Sequence, residues 1–454
     1  MEEILKSLGL KRYHKAVIVL LPFVLCLFLL SCQTPTQPTT TGIQEESQTD
    51  SRIADGQREF YIDSISGDDH NSGTSKNDPW KTLAKVSGLT FQPGDHIYFK
   101  RGSSYSGCVT IRGNGTADKP ITIGAYGSGD APRFTSVDSN HKNGNAMQIR
   151  GDYHIVEDLY FHHTASAPVD ASFFEVWASG ALHVGIGHDH VIIRNNEFSH
   201  VAKAIQSYSQ YSLITNNYIH DANELEQGGF LSIPYWGPLG IQLGIGNQEI
   251  SYNTIENMYV EGGEWGGDGG AIEIDDGRNH KDNIYIHHNQ TKHNMGFLEI
   301  SWYDDIKKMS TSNIAIEHNL SRDYQDFVFW WGRDSGSRII KNTIIRTDFL
   351  SSMAADTVFV LDGLQNIEIS ENVVVTRDDM WDPVFTGDRV DSAEHTNNIY
   401  WDIDDGVVDL GVEWGDGEFT ADPQFVDFNG GDYRLRPGSP AEGLGALINE
   451  GMEN

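Results

Sequence analysis

From about residue 180 onward, short runs of alternating apolar and polar residues recur along the chain, each carrying an asparagine in a similar setting. They read VIIRNNEF, SLITNNYI, EISYNTI, IYIHHNQ, IAIEHNL, RIIKNTII, IEISENVVV and HTNNIYW. A period of two over so few residues is the pattern of strands, and the Val/Ile/Tyr content excludes a helical solenoid. The matching asparagines are Asn196, Asn217, Asn253, Asn289, Asn319, Asn342, Asn372 and Asn398, separated by 21, 36, 36, 30, 23, 30 and 26 residues. Units of this size bury their apolar faces only by stacking, so the repeat predicts a solenoid with loops of variable length. The leucine pattern of leucine-rich repeats is missing.

The expected fold is all-β, a right-handed parallel β-helix over residues 59–450. Each asparagine is placed at the bend between strands, in the left-handed backbone that Asn tolerates, with its amide donating to the next coil. A second strand series supports register stacking at ~4.8 Å. It reads Ala181-Leu-His-Val-Gly, Ala204-Ile-Gln-Ser-Tyr, Gly240-Ile-Gln-Leu-Gly, Ala271-Ile-Glu-Ile-Asp, Phe297-Leu-Glu-Ile-Ser and Phe327-Val-Phe-Trp-Trp. Leu182, Ile205, Ile241, Ile272, Leu298 and Val328 are predicted to point inward. One outward column is then His183, Gln206, Gln242, Glu273, Glu299 and Phe329, and a second is Gly185, Tyr208, Gly244, Asp275, Ser301 and Trp331.

Three carboxylates, Glu273, Asp275 and Glu299, thus converge on one face, with Gln242 on one side and Phe329 and Trp331 on the other. Like charges this close raise one another's pKa, so that one stays protonated while another is ionised. Glycoside hydrolysis needs that division between acid and nucleophile or base. Excursions at 221–239 (with Phe230, Tyr235 and Trp236) and 261–270 (with Trp265 and Asp268) leave the scaffold beside the acidic strands. They are placed as cleft walls, with Trp236, Trp265, Asp268, Gln242, Trp331 and Arg333 as substrate-binding residues.

The opening of the domain has its own signature: Tyr61-Ile-Asp-Ser-Ile-Ser-Gly-Asp-Asp-His, then Asp78-Pro79-Trp80, then Gln92-Pro-Gly-Asp-His and Lys119-Pro-Ile-Thr-Ile-Gly. With the closing Asp422-Pro-Gln-Phe-Val-Asp, it resembles the ends of secreted β-helix lyases and hydrolases of the pectate-lyase-like type, where a short helix caps the core. Asp78 is expected as that helix's N-cap and Pro79 as its first residue. Gly67-Asp68-Asp69-His70 reads as a solvated turn rather than a calcium loop. The pair Ala271-Ile-Glu-Ile-Asp-Asp-Gly and Gly296-Phe-Leu-Glu-Ile-Ser resembles the catalytic strands of β-helix β-xylosidases. That resemblance implies Asp275 as nucleophile and Glu299 as acid/base. The chain departs from the family in carrying Glu273 and in lacking an evident inserted sandwich domain.

Composition adds the compartment. Lys6, Lys11, Arg12 and Lys15 precede an apolar run, 16–30, that ends in Leu29-Leu30-Ser31-Cys32. This resembles a bacterial lipobox, implying a signal peptide over 1–31, lipid on Cys32, and a protein exported to the cell envelope. Residues 32–58, rich in Thr, Pro, Gln and Ser, are expected to be a flexible tether. Net charge is −33, which disfavours nucleic acid and any membrane contact beyond the lipid. A monomer acting on a polysaccharide or oligosaccharide is expected.

Three readings stay open: a glycoside hydrolase, a polysaccharide lyase cleaving uronic-acid polymer by β-elimination, and a non-catalytic glycan-binding surface. Hydrolysis requires no cofactor and no metal. The lyase reading calls on calcium, held by the acids with Asp276, Asp304 and Asp305, or on arginine to neutralise the uronate, and on a base, with Arg278, Lys281, Lys307, Lys308 and Arg333 near enough in sequence to serve. No outward column of basic residues appears to serve it. His183, His287 and His288 read as surface coil residues.

Overall fold

In the computed structural model, the described residues are 57–136, 145–164, 180–222, 226–227, 235–261, 267–275, 280–300, 310–348, 357–362 and 367–447, apart from 379, 381 and 389. The expected signal and lipid-attachment segment with Cys32, and nearly all of the expected tether, lie outside them. Three parallel sheets of thirteen, ten and twelve strands wind around one apolar interior, as a right-handed parallel β-helix. A coil gives one strand to each sheet: Leu239–Leu243 in the ten-stranded sheet, Gln248–Ser251 in the thirteen-stranded sheet and Thr254–Glu256 in the twelve-stranded sheet. The next coil then begins at Gly270–Ile274.

The corners follow a five-residue beat of left-handed residues. In that coil they are Asn247, Tyr252 and Asn257, with φ of 55°, 54° and 58°. The ladder asparagines are not among them, which corrects the expectation. The left-handed residue precedes each asparagine: Asn195, Asn216, Tyr252, His288, His318, Lys341, Glu371 and Asn397. The turn made by that residue aims the following asparagine side chain inward. Each inward amide donates from Nδ2 to Oδ1 of the next, at 3.1 Å from Asn196 to Asn217 and 3.0 Å from Asn289 to Asn319. Nδ2 of Asn398 closes the ladder on Glu418 Oε1 at 2.6 Å. No buried amide is thereby left unpaired along the column.

Rings stack along the interior as well, with Phe161 on Phe198 at 4.8 Å and Phe297 on Phe327 at 4.5 Å. At the N-terminal end a helix, Leu83–Ser87, packs Leu83 and Val86 over the core. Its N-cap is Thr82 rather than Asp78, so the expected start is corrected. Asp69 holds that start, accepting from the backbone N–H groups of Lys81 at 2.9 Å and Thr82 at 3.0 Å. Asp78 is drawn instead to Ser72, accepting from its N–H at 3.0 Å and its hydroxyl at 2.8 Å.

Candidate active site

The ten-stranded sheet carries the predicted columns. Thr110, Gln148, His183, Gln206, Gln242, Glu273, Glu299, Phe329, Val360 and Thr386 are register partners on successive coils. Leu182, Ile205, Ile241, Ile272, Leu298 and Val328 alternate with them and are buried. The strand Gly270–Ile274 thus presents Glu273 outward, and Asp275 follows on the same face. The structure brings the three acids together with graded exposure. Asp275 is 4% exposed, Glu273 is partly exposed, and Glu299 is exposed.

Glu273 and Asp275 are hydrogen-bonded to each other through their carboxyl groups. That contact requires one proton between them. Burial first, then the charges of Asp275 and Glu299 and the bond to Asp275, hold the Glu273 pKa well above the usual carboxylate range, while Lys203 opposes them. The site thus favours the neutral form of Glu273. A hydrogen-bonded carboxyl pair leaves no room for a glycosidic bond between its members. Glu299 is differently placed: it lies one coil from Glu273, about 4.8 Å away, and two residues along the strand direction from Asp275, a diagonal of roughly 8 Å between backbones.

Behind the acids runs a column of buried polar groups. Lys203, 4% exposed, donates from Nζ to Gln242 Oε1 at 3.0 Å, and Gln206 Nε2 donates to the same oxygen at 2.7 Å. Gln242 Nε2 reaches Glu273 Oε1 at 3.4 Å, the longest link. His183 Nδ1 meets Gln206 Oε1 at 2.9 Å, and burial lowers its pKa to about 4. The reading of His183 as a surface residue is corrected, because the alternation that turns it outward also covers it with the next coil's side chains. Gln242 is likewise 4% exposed, so its amide faces neighbours more than solvent. Lys203 escaped the sequence reading. Its signal was a lysine at the start of a strand, two residues before the inward Ile205, where a buried ammonium demands a partner.

In the second column the ring of Tyr208 lies over Gly244, the position preceding Asp275 by one coil. A Cβ at Gly244 would meet Tyr208 Cε1 at 2.0 Å, so only glycine admits the ring there. The same column carries a basic pair that sequence reasoning missed. Arg112 and Arg150 are register partners, which corrects the expectation of no outward basic column. Arg150 lies four coils from Asp275, about 19 Å, and Arg112 five, about 24 Å. Arg112 donates to Ser87 O at 2.5 Å and Arg150 to Gln148 Oε1 at 3.3 Å.

Trp331 and Phe329 flank the acids, Trp331 in register with Asp362. Arg333 falls past the turn at Gly332, on the thirteen-stranded sheet, where it is exposed. Trp236 and Asp268 lie on short antiparallel pairs, Glu226–Gln227 with Tyr235–Trp236 and Val260–Glu261 with Gly267–Asp268, and their side chains lie outside the described residues. So do Trp265, Ser301, Asp276, Arg278, Asp304, Asp305, Lys307 and Lys308. Lys281 is fully buried in the thirteen-stranded sheet, away from the acids. His287, 8% exposed and 3.2 Å from Glu249, is also corrected from surface to buried. Away from this face, carboxylate oxygens of Asp378, Asp402 and Asp404 lie within 4.8 Å of one another, a geometry open to a cation.

No protein-family model matches the chain. Over 98 residues it is 39% identical to a lacto-N-biosidase of Bifidobacterium longum, a stretch that is 21% of this chain and 6% of that protein. The chain therefore spans only a small part of this curated relative. Among solved structures, the GH136 lacto-N-biosidase of Eubacterium ramulus is 15% identical, covering 81% of this chain and 68% of that one, with a TM-score of 0.43. XylC in complex with xylose is 12% identical over 81% and 87%, with a TM-score of 0.49. Pectate lyase Pel9A is 12% identical over 85% and 91%, at 0.45. What the chain has in common with these structures is the fold, a parallel β-helix.

Proposed function

We propose that the protein is an exported, lipid-anchored carbohydrate-active enzyme, a glycoside hydrolase working from the acidic face of the β-helix. The observation that carries this reading is the convergence of Glu273, Asp275 and Glu299 on one face of the ten-stranded sheet. Asp275, beside the Glu273 carboxyl whose neutral form the site favours, is the nucleophile. Its carboxylate attacks the anomeric carbon while Glu299 delivers a proton to the departing oxygen. Glu299 then takes a proton from water, which releases the sugar from Asp275. Trp331 and Phe329 offer ring faces to a sugar at the flank. The local identity to a lacto-N-biosidase supports hydrolysis and makes a lacto-N-biose-terminated oligosaccharide the first substrate to try. Arg112 and Arg150, about 24 and 19 Å away, are too distant to neutralise a uronate at the acids, which weighs against elimination there.

The test is a panel of oligosaccharides and polysaccharides offered to the mature chain, reading reducing ends and the ultraviolet absorbance of unsaturated uronides together, with and without chelator. New reducing ends without absorbance are expected, and Asp275→Asn and Glu299→Gln are each expected to lower kcat by about 10²–10⁴-fold. Chelator-sensitive absorbance would turn the reading into a calcium-assisted lyase. Full activity in both variants would remove these carboxylates from the reaction.

A further inference from the structure

We infer that Lys203 is a positioning residue for the carboxylate site, fixing through Gln242 the direction of a hydrogen-bond column that runs from His183 to Asp275. This rests on the proposed hydrolase reading for its catalytic consequence, though not for its structural content. An ammonium has donors and no acceptor, so the Gln242 atom that faces Lys203 Nζ must be the amide oxygen. Its NH₂ group is then turned toward Glu273, where it donates to Oε1. With that oxygen occupied as an acceptor, the remaining oxygen of Glu273 carries the proton into the bond with Asp275. Asp275 accordingly receives that hydrogen bond, the arrangement in which it can serve as a nucleophile.

The other direction is settled by the same atom. Gln206 donates its NH₂ to Gln242 Oε1, which leaves its own oxygen facing His183. His183 is therefore protonated on Nδ1 and bare on Nε2. One obligate donor thus decides two amide orientations and one tautomer. If Gln242 were flipped, its NH₂ would confront two donors and its oxygen would confront Glu273, with the polarity reversed along the whole column. The charged and titratable groups bearing on Glu273 are Asp275 on its own strand, Glu299 on the next and Lys203 two strands before, with His183 a further strand back.

The experiment compares the full-length protein with Lys203→Met and Lys203→Arg, using ¹⁵N-histidine labelling to read the tautomer of His183 and steady-state kinetics on a cleaved glycoside. In the parent, His183 is expected to be neutral at pH 7 and protonated on Nδ1. Lys203→Met should lose that single tautomer and lower kcat by roughly 10- to 100-fold with KM nearly unchanged. It should also move the alkaline limb of the pH–rate profile upward, since the charge that favours ionised Glu273 is gone. Lys203→Arg should restore the tautomer and part of kcat. A parent His183 protonated on Nε2, or a Lys203→Met protein with tautomer, kcat and pH limb unmoved, would overturn the inference. If no glycoside is cleaved by the parent, the hydrolase reading fails alone, and the tautomer result still decides the column. Should Lys203→Met not fold, Lys203→Arg decides: it must keep the Nδ1 tautomer.

Discussion

Replacing Asn289 by alanine should be among the most damaging single changes to this scaffold. The side chain of Asn289 takes part in five hydrogen bonds. Its Nδ2 donates to Ile250 O at 2.9 Å, to His287 O at 3.1 Å and to Asn319 Oδ1 at 3.0 Å. Its Oδ1 accepts from the backbone N–H and from Nδ2 of Asn253, both at 3.0 Å. Alanine removes all five, and the residue is fully buried, so water does not replace them. Nδ2 shares two hydrogens among its three acceptors, so at a net ~1 kcal/mol for each of four full bonds the loss is about 4 kcal/mol. That figure approaches the whole stability of many domains, about 5–15 kcal/mol. Asn289→Asp should cost at least as much, because carboxylate oxygen then faces the three acceptors that Nδ2 served. Lys292→Ala is the control: it lies on the same coil, is exposed, and should stay within about 0.5 kcal/mol of the parent. Urea unfolding followed by tryptophan fluorescence measures all three. A loss below about 1 kcal/mol in Asn289→Ala would show that the ladder carries little of the stability and refute the reasoning.

Acid should destabilise the fold through two buried histidines. His154 and His183 both have pKa lowered by burial to about 4, against an unfolded value of 6.5. Between pH 6.5 and 4 the unfolded chain binds protons that the folded one refuses, so stability falls as pH falls, by about 3 kcal/mol per histidine in full; urea midpoints at pH 7, 6 and 5 should decline, and less steeply in His154→Gln. Gly244→Ala should force the Tyr208 ring from its seat, since the added carbon would lie 2.0 Å from it, and should change turnover more than it changes urea stability. Arg346 is fully buried, bonded to Ser321 O, Ile345 O and Ser321 Oγ, and sits among Asp323, Asp326 and Asp348. Arg346→Met should therefore cost about 3–5 kcal/mol by leaving buried acid uncompensated, read in the same urea assay.

A parallel β-helix is unusually legible because two short periods place its side chains on a lattice. The strand period of two assigned Ile272 inward and Glu273 outward, and coil stacking set Glu299 beside Glu273; the observed register has both. The ladder asparagines were legible for the same reason, since a buried amide is tolerated only where its neighbours repeat it. What was not legible lies off the lattice. The left-handed residue before each ladder asparagine is His288, Lys341 or Glu371 as often as asparagine, because the stacked corner imposes the conformation whatever the side chain. Asp69 caps the helix from thirteen residues upstream of Thr82, a reach that only the folded turn creates. Lys203 is the most consequential case. It sits at a corner where strict alternation breaks, Ala204 and its stacked counterparts Ala271, Phe297 and Phe327 already facing the core, so its side chain ends on the outward column at Gln242. Lattice position thus fixes where a short side chain such as Asp275 acts, whereas a lysine acts where its ammonium ends. The chemistry of the acidic face depends on both, since the carboxylates come from the repeat and the polarity that orders their proton comes from a residue the repeat does not predict.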